Sequence, residues 1–246
     1  MSRVAVVTGG ASGIGLGVGR RLAADGHRIA LFDLDADGVE AAAAQLRADG
    51  AEAIGVPVDV ADRAAVDAGF ERVRAELGPT EILVTSAGIE SFDPIGEVTR
   101  EKWDRLIAVN LTGTFSCVQE AVVDMLAGGW GRIVTIASSS AQSGAPNMTH
   151  YAASKGGVIS LTRALAVELA RKGITANSIA PSLVDTPMAR KAEADGTFIG
   201  VDVVAPMVPL GRAGTPDDIA SAASFLCAED SYVTGQILNV NGGMYI

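Results

Sequence analysis

Tyr151 and Lys155 stand four residues apart in the run Tyr151-Ala152-Ala153-Ser154-Lys155. On a helix, that spacing places both side chains on one face. A free phenol titrates near pH ~10 and exchanges protons poorly at neutral pH. A nearby ammonium favours the phenolate and lowers that pKa. The pair would then act as a general acid/base for a substrate hydroxyl or carbonyl oxygen. Alone it says little, because most Tyr/Lys pairs at this spacing are solvated surface. Its meaning depends on a second, independent site upstream.

That site begins with Arg3-Val4-Ala5-Val6-Val7, a short β-branched run that reads as a buried strand. Thr8-Gly9-Gly10-Ala11-Ser12-Gly13-Ile14-Gly15 follows, and then a helical pattern from Leu16 to Ala24 with Val18 and Leu22 as core candidates. Strand, glycine turn and helix form the context of a dinucleotide-binding turn. Glycines allow close approach of a pyrophosphate, and the helix N-terminus offers it unpaired N–H groups. The alternative is a tight turn with no ligand; placement at the start of a βαβ unit favours the nucleotide.

The next strand, His27 to Phe32, ends in Asp33. Asp33 follows the glycine turn by about 20 residues, where a carboxylate accepts hydrogen bonds from the adenosine ribose. A carboxylate there repels a 2′-phosphate, and no Arg or Lys lies in the glycine turn. The sequence therefore points to NAD rather than NADP. The other reading of Asp33 is a turn or N-cap residue, which suits Asp35 and Asp37 better.

With these residues in place, the chain resembles the short-chain dehydrogenase/reductase family over essentially its whole length. The resemblance rests on the glycine turn, Asp59-Val60, Ser86-Ala87-Gly88, Asn110, Ser138, Tyr151 with Lys155, and Pro181 through Met188. It implies that Tyr151 is the general acid/base and that Lys155 lowers its pKa and binds the nicotinamide ribose. It also implies that Ser138 bonds the substrate oxygen and that Asn110 holds a water relaying protons to Lys155. Ser139 and Ser140 are adjacent hydroxyls, but Ser138 best matches the strand end. For the coenzyme, it implies contacts from Gly9, Ser12, Gly13, Ile14 and Gly15, with Asp59 and Val60 at the adenine. Ser86, Ala87, Gly88 and Pro181 belong to the same set, and Val184 and Thr186 would anchor the carboxamide. Asn110 as a helix-kink residue and Ser138 as a strand-end cap are the bland alternatives.

Two departures from the family pattern stand out. Thr85-Ser86-Ala87-Gly88 replaces Asn-Asn-Ala-Gly, and Ser86 can supply only part of the strand-tying bonding of the second Asn. Pro181-Ser182 replaces Pro-Gly, so the backbone there is less free to adopt positive φ.

The positioning elements follow from periodicity. Strands are expected at 3–8, 28–33, 53–58, 81–85, 131–137, 174–180 and 236–240. Helices are expected at 13–25, 36–49, 62–77, 100–127, 151–171 and 216–228. The alternation predicts an α/β fold: a single Rossmann domain over 1–246, doubly wound, with a mostly parallel seven-stranded sheet and helices on both faces. The candidate residues follow strand ends and so converge on one sheet edge, where such sheets bind ligands. Residues 182–212 have weak periodicity, as functional segments without a clear element do, and the resemblance implies that they form the substrate lid. Met188, Phe198, Ile199, Val203, Val204 and Met207 are its candidate apolar wall, or simply pack the lid down. Small residues on the helix from Tyr151 (Ala152, Gly156, Gly157, Ala164, Ala166) admit a close neighbour, and the resemblance implies a homotetramer.

The 246 residues are 48% hydrophobic, enough for one large core, and carry a net charge of −10 with no basic run, which argues against nucleic acid. The two cysteines, Cys117 and Cys227, sit in apolar helical patterns and read as small hydrophobes. The two histidines, His27 and His150, lack metal-ligand companions, and His150 reads as a loop residue. No signal peptide or membrane-length apolar span is evident, so a cytoplasmic protein without membrane contact is expected.

Three functions compete. A hydride-transferring enzyme explains the joint presence of Asn110, Ser138, Tyr151 and Lys155. A non-catalytic redox-reporting protein or a structural subunit would not need all four. Within the enzyme class the sequence favours a catabolic NAD-linked dehydrogenase of secondary alcohols, hydroxyacyl thioesters or cyclic alcohols. The runner-up is an NADPH-linked 3-oxoacyl carrier-protein reductase. That role needs basic docking surface, whereas Gly128-Gly129-Trp130 precedes the fifth strand and Arg171-Lys172 remains near the helix end.

Overall fold

Every side chain of Val4–Thr8 is buried, and this strand, β1, is the third of seven in one sheet. The structure, a computed structural model, describes residues 2–245. The other strands are β2 (Arg28–Asp33), β3 (Ala53–Pro57), β4 (Ile82–Thr85), β5 (Gly131–Ile136), β6 (Ile174–Pro181) and β7 (Ile237–Val240). Their order is β3-β2-β1-β4-β5-β6-β7, and every pairing is parallel rather than mostly so. Strand order reverses between β1 and β4, which opens a crevice above their carboxyl ends.

Helices α1 (Gly13–Ala24), α2 (Ala36–Ala48), α3 (Arg63–Glu76), α4 (Arg100–Ile107), α5 (Gly113–Gly128), α6 (Ser140–Ser143) and α7 (Thr149–Leu169) cover the sheet. After β6 come α8 (Pro187–Ala194), α9 (Val201–Val204) and α10 (Pro216–Cys227). One face of the sheet buries Phe32 against Phe70, edge to face at 5.3 Å, together with Met125 and Leu169. The other buries Val18 and Leu22 of α1 with Ile219 and Leu226 of α10. Each such side chain stabilises the fold by roughly 1.5–3 kcal/mol. Cys117 and Cys227 are free and buried, and burial pushes both thiols up to about 12.

Four expectations need correction. The helix expected over 100–127 is two helices joined by a π-helical segment, Ala108–Thr112, which contains Asn110. The lid is partly helical, because Thr186 caps α8 (its Oγ1 accepts from Ala189 N at 3.2 Å) and Pro187 occupies the first turn. His150 is fully buried in the first turn of α7, with Nε2 3.4 Å from the Asp93 carboxylate, not in a loop. Finally, the helical run Arg100–Gly128 is long and apolar enough to cross a membrane, with mean hydropathy 1.4 over its best window. Half of that window is buried, with Cys117, Ala121 and Met125 against the sheet, as in a core helix.

Candidate active site

Thr8 closes β1 at the crevice. Its buried Oγ1 accepts from Ser86 N at 3.1 Å and Ala87 N at 3.0 Å, tying the end of β1 to the loop after β4. That tie meets part of the need left by Ser86. The glycine turn then folds back on itself. Gly9 has φ +68°, and a Cβ on Gly15 would overlap the Gly9 carbonyl. These two glycines are thus required by the turn's own packing, a reason distinct from access for a pyrophosphate. Ser12 at the start of α1 makes no side-chain cap, which leaves the first-turn N–H groups turned to the cavity.

Asp33, at the end of β2, accepts from Ala11 N at 3.0 Å and Asp35 N at 3.1 Å. The turn and the carboxylate are therefore locked together across 22 residues of sequence. Asp35 caps α2 by accepting from Gly38 N. Asp59 accepts from Ala61 N at 2.9 Å and faces Arg105 at 3.5 Å.

One cavity of about 560 Å³ runs along the crevice. Its lining includes Gly9, Ser12, Gly13, Ile14, Gly15, Asp33, Asp59 and Val60 at one end. Ser86, Ala87, Gly88, Ser138, Tyr151, Lys155, Pro181, Val184 and Thr186 also line it. Every expected site residue is there except Asn110. The cavity's polar and apolar lining, with uncapped N–H groups at the start of α1 and the Asp33 carboxylate, fits a dinucleotide. Ser182 keeps φ out of the positive region, where Asn147 is the only non-glycine among the described residues. Its hydroxyl donates instead to Asn241 O at 3.0 Å.

Asn110 lies behind the cavity wall, fully buried. Its Oδ1 accepts from Ile89 N at 2.8 Å, and its Nδ2 donates to Ile89 O at 2.9 Å and Ser154 Oγ at 3.1 Å. Both side-chain donors are thus occupied in clamping the loop after β4 to α7. Gly88 lies between Asn110 and Lys155: a Cβ there would stand 3.3 Å from Asn110 Oδ1 and 3.4 Å from Lys155 Nζ.

Tyr151 and Lys155 share a face of α7, with Nζ 5.9 Å from the phenol ring centre. Lys155 is buried and donates to Ile136 O at 2.8 Å. Burial lowers its pKa from 10.5 to about 8. The phenol does not follow the sequence expectation. Burial raises its pKa, the Glu90 carboxylate adds to that, and the Ser138 hydroxyl opposes it. In this arrangement burial and the Glu90 carboxylate both oppose ionisation of the phenol. Ser138 Oγ lies 2.8 Å from Ser140 Oγ.

Sequence reasoning missed Glu90, Phe92, Arg105, Met148, Met244 and Tyr245, all of which line the cavity. Of the expected lid wall, Met188, Phe198 and Val204 line it, whereas Ile199, Val203 and Met207 point to solvent. Phe198 stacks on Phe92 at 6.3 Å and 20°. Only the Thr186-Pro187 capping signal could have been read from sequence; side chains that reach the cavity from irregular loops leave no periodic trace.

Comparison with known proteins agrees with this geometry. The family model described as enoyl-(acyl carrier protein) reductase, a short-chain dehydrogenase/reductase model, matches residues 9–245. The chain is 41% identical over 244 residues to BbsD of Thauera aromatica, a hydroxy(phenyl)methylsuccinyl-CoA dehydrogenase subunit, covering 98% of this chain and 96% of that one. It is 39% identical over 245 residues to the 3-oxoacyl-(acyl-carrier-protein) reductase MabA of Mycobacterium bovis, covering 99% and 93%. Among solved structures, an actinorhodin polyketide ketoreductase with NADPH superposes with TM-score 0.95 at 36% identity, covering 99% and 97%. A 3-ketoacyl-(acyl-carrier-protein) reductase from Brucella melitensis complexed with NADH gives TM-score 0.91 at 33% identity, covering 99% and 98%. The chain belongs to the short-chain dehydrogenase/reductase family of nicotinamide-dependent oxidoreductases.

Proposed function

We propose that this chain is an NAD-dependent oxidoreductase that interconverts a secondary alcohol, or a hydroxyacyl thioester, and its ketone. The observation that carries the reading is that Ser138, Tyr151 and Lys155 share a cavity with the glycine turn and Asp33. A nicotinamide coenzyme held along this cavity would supply the hydride acceptor in oxidation and the hydride donor in reduction. Tyr151 takes the hydroxyl proton in oxidation and returns a proton to the carbonyl oxygen in reduction. Ser138 holds that oxygen. Lys155, fixed by Ile136 O, would hold the nicotinamide ribose with its remaining N–H donors, and its ammonium favours the phenolate as it forms. Asn110 is a positioning residue in this reading, because its clamp on Ile89 fixes the loop beside Lys155.

The NAD preference rests on Asp33, whose anchoring to Ala11 N holds a negative charge at the turn. The runner-up, an NADPH-linked carrier-protein reductase, is favoured by the names of several relatives. The basic groups around Trp130 speak against it. The guanidinium groups of Arg3 and Arg132 lie over the indole, 4.1 and 4.3 Å from its centre. Arg3 also pairs with Glu81 and Glu229, and Arg132 donates to the carbonyls of Ala228 and Glu229. Neither is free for an acidic carrier protein.

A homotetramer belongs to the same proposal. Phe115, Val123 and Leu126 of α5 and Val167 of α7 are exposed, and nothing packs over Gly156. Light scattering would test the assembly. A cytoplasmic site of action agrees with two free thiols. The deciding experiment is nicotinamide absorbance with NAD(H) and NADP(H), across secondary alcohols and 3-oxoacyl thioesters. NAD-linked alcohol oxidation supports the proposal; NADPH-linked thioester reduction alone would replace it with the runner-up.

A further inference from the structure

Three carboxylates line the cavity: Asp33, Asp59 and Glu90. Asp33 and Asp59 are each held by backbone N–H groups at the end formed by the glycine turn. Glu90 is at the other end, with Tyr151, and its carboxylate makes no hydrogen bond or ion pair among the described residues. It is not a loose surface group. The preceding residue, Ile89, is gripped through both N–H and C=O by Asn110. Three residues on, Asp93 N donates to Asn147 O at 2.7 Å. Between them Phe92 is stacked on Phe198 of the lid. A short, doubly anchored loop thus presents one carboxylate to a cavity whose lining also includes the apolar Phe92, Met148, Met188 and Phe198.

A half-buried carboxylate without a partner is costly, and a donor supplied by a ligand offsets that cost. Burial already holds the Glu90 carboxyl above its usual range, and its charge opposes ionisation of Tyr151. A substrate donor bonded to Glu90 would relieve both effects together. We propose that Glu90 is a specificity-determining residue that accepts a hydrogen bond from a second substrate hydroxyl beside the reacting carbinol. The preferred substrate class is then a vicinal diol, or the corresponding hydroxyketone in reduction. The inference rests on the alcohol–ketone reading of the site given above. A site built to bond a hydroxyl rejects the analogue lacking it far more strongly than an apolar pocket discriminates a methylene.

The test compares kcat/KM for 2,3-butanediol with 2-butanol, and for 1,2-cyclohexanediol with 2-methylcyclohexanol. The proteins are wild type, Glu90→Gln and Glu90→Leu, with NADH binding measured on each to verify folding. We expect a diol preference of about 10- to 100-fold in the wild type, the scale of one charge-assisted hydrogen bond. Glu90→Leu should remove it by lowering diol turnover while mono-alcohol turnover holds or rises, and Glu90→Gln should fall between. Equal diol-to-mono-alcohol ratios in wild type and Glu90→Leu would overturn the inference while leaving the alcohol–ketone reading intact. A larger preference for 1-amino-2-propanol that Glu90→Gln abolishes would overturn the diol in favour of an ammonium. No turnover of any alcohol or ketone would overturn the underlying reading, and the inference with it.

Discussion

Replacing Lys155 by Met should stabilise the protein at neutral pH while impairing turnover. Lys155 is buried, and burial lowers its pKa from 10.5 to about 8. In the unfolded chain it titrates near its ordinary value of ~10.4. Below pH 8 the ammonium is charged in both states, so folding bears the whole cost of burying it. Above pH 10.5 the amine is neutral in both, and the cost disappears. Between these limits the unfolded state binds more protons, so this group makes stability rise with pH. At about 1.4 kcal/mol per pH unit, the difference is about 3 kcal/mol. Loss of the N–H to Ile136 O offsets about 1–3 kcal/mol of the gain, but that part is nearly independent of pH. The clean readout is therefore the gap between the two proteins. Guanidinium unfolding of wild type and Lys155→Met at pH 7 and at pH 10.5 should show the wild type gaining about 3 kcal/mol on the variant. Parallel stability–pH curves would refute the claim that a desolvated ammonium is held in the site. Reduced turnover in the more stable variant would mark a group kept for chemistry at a cost in stability.

Three other perturbations follow from the same geometry. Asp33→Ala should narrow the gap between NADH and NADPH dissociation constants by about 10-fold or more, because a like-charge contact costs several kcal/mol; fluorescence titration measures it, and an unchanged ratio would remove Asp33 from coenzyme selection. Thr8→Val leaves Ser86 N and Ala87 N without their acceptor, which should cost about 2–4 kcal/mol in denaturant unfolding; a loss under about 0.5 kcal/mol would show that the tie is dispensable. Gly15→Ala puts a methyl onto the Gly9 carbonyl, so the turn must open; thermal unfolding should shift down and coenzyme binding weaken even with excess ligand, whereas wild-type melting would contradict the packing role of that glycine.

The residues that made the site legible are those with a short-range reason for their place. The spacing of Tyr151 and Lys155 fixed a common helix face, and the strand–glycine–helix order fixed the crevice. What escaped the sequence depends on tertiary surroundings. The π-helical segment at Ala108–Thr112 widens one turn by a residue without a Gly or Pro break before it, so residues 100–127 read as one helix. The burial of His150 beside Asp93 and the exposure of Ile199 and Met207 follow from long-range packing. The phenol pKa is the sharpest case. The Lys155 spacing argues for depression, whereas burial and Glu90, a residue on a loop without periodicity, act in the other direction.

The central claim, that Tyr151 moves the substrate proton, is tested most directly by Tyr151→Phe assayed for coenzyme binding and for turnover together. The account predicts NADH affinity within a few-fold of wild type and kcat lower by about 10²–10⁴-fold or more, the usual contribution of a positioned acid/base. Turnover retained within a few-fold, with the coenzyme still bound, would contradict it.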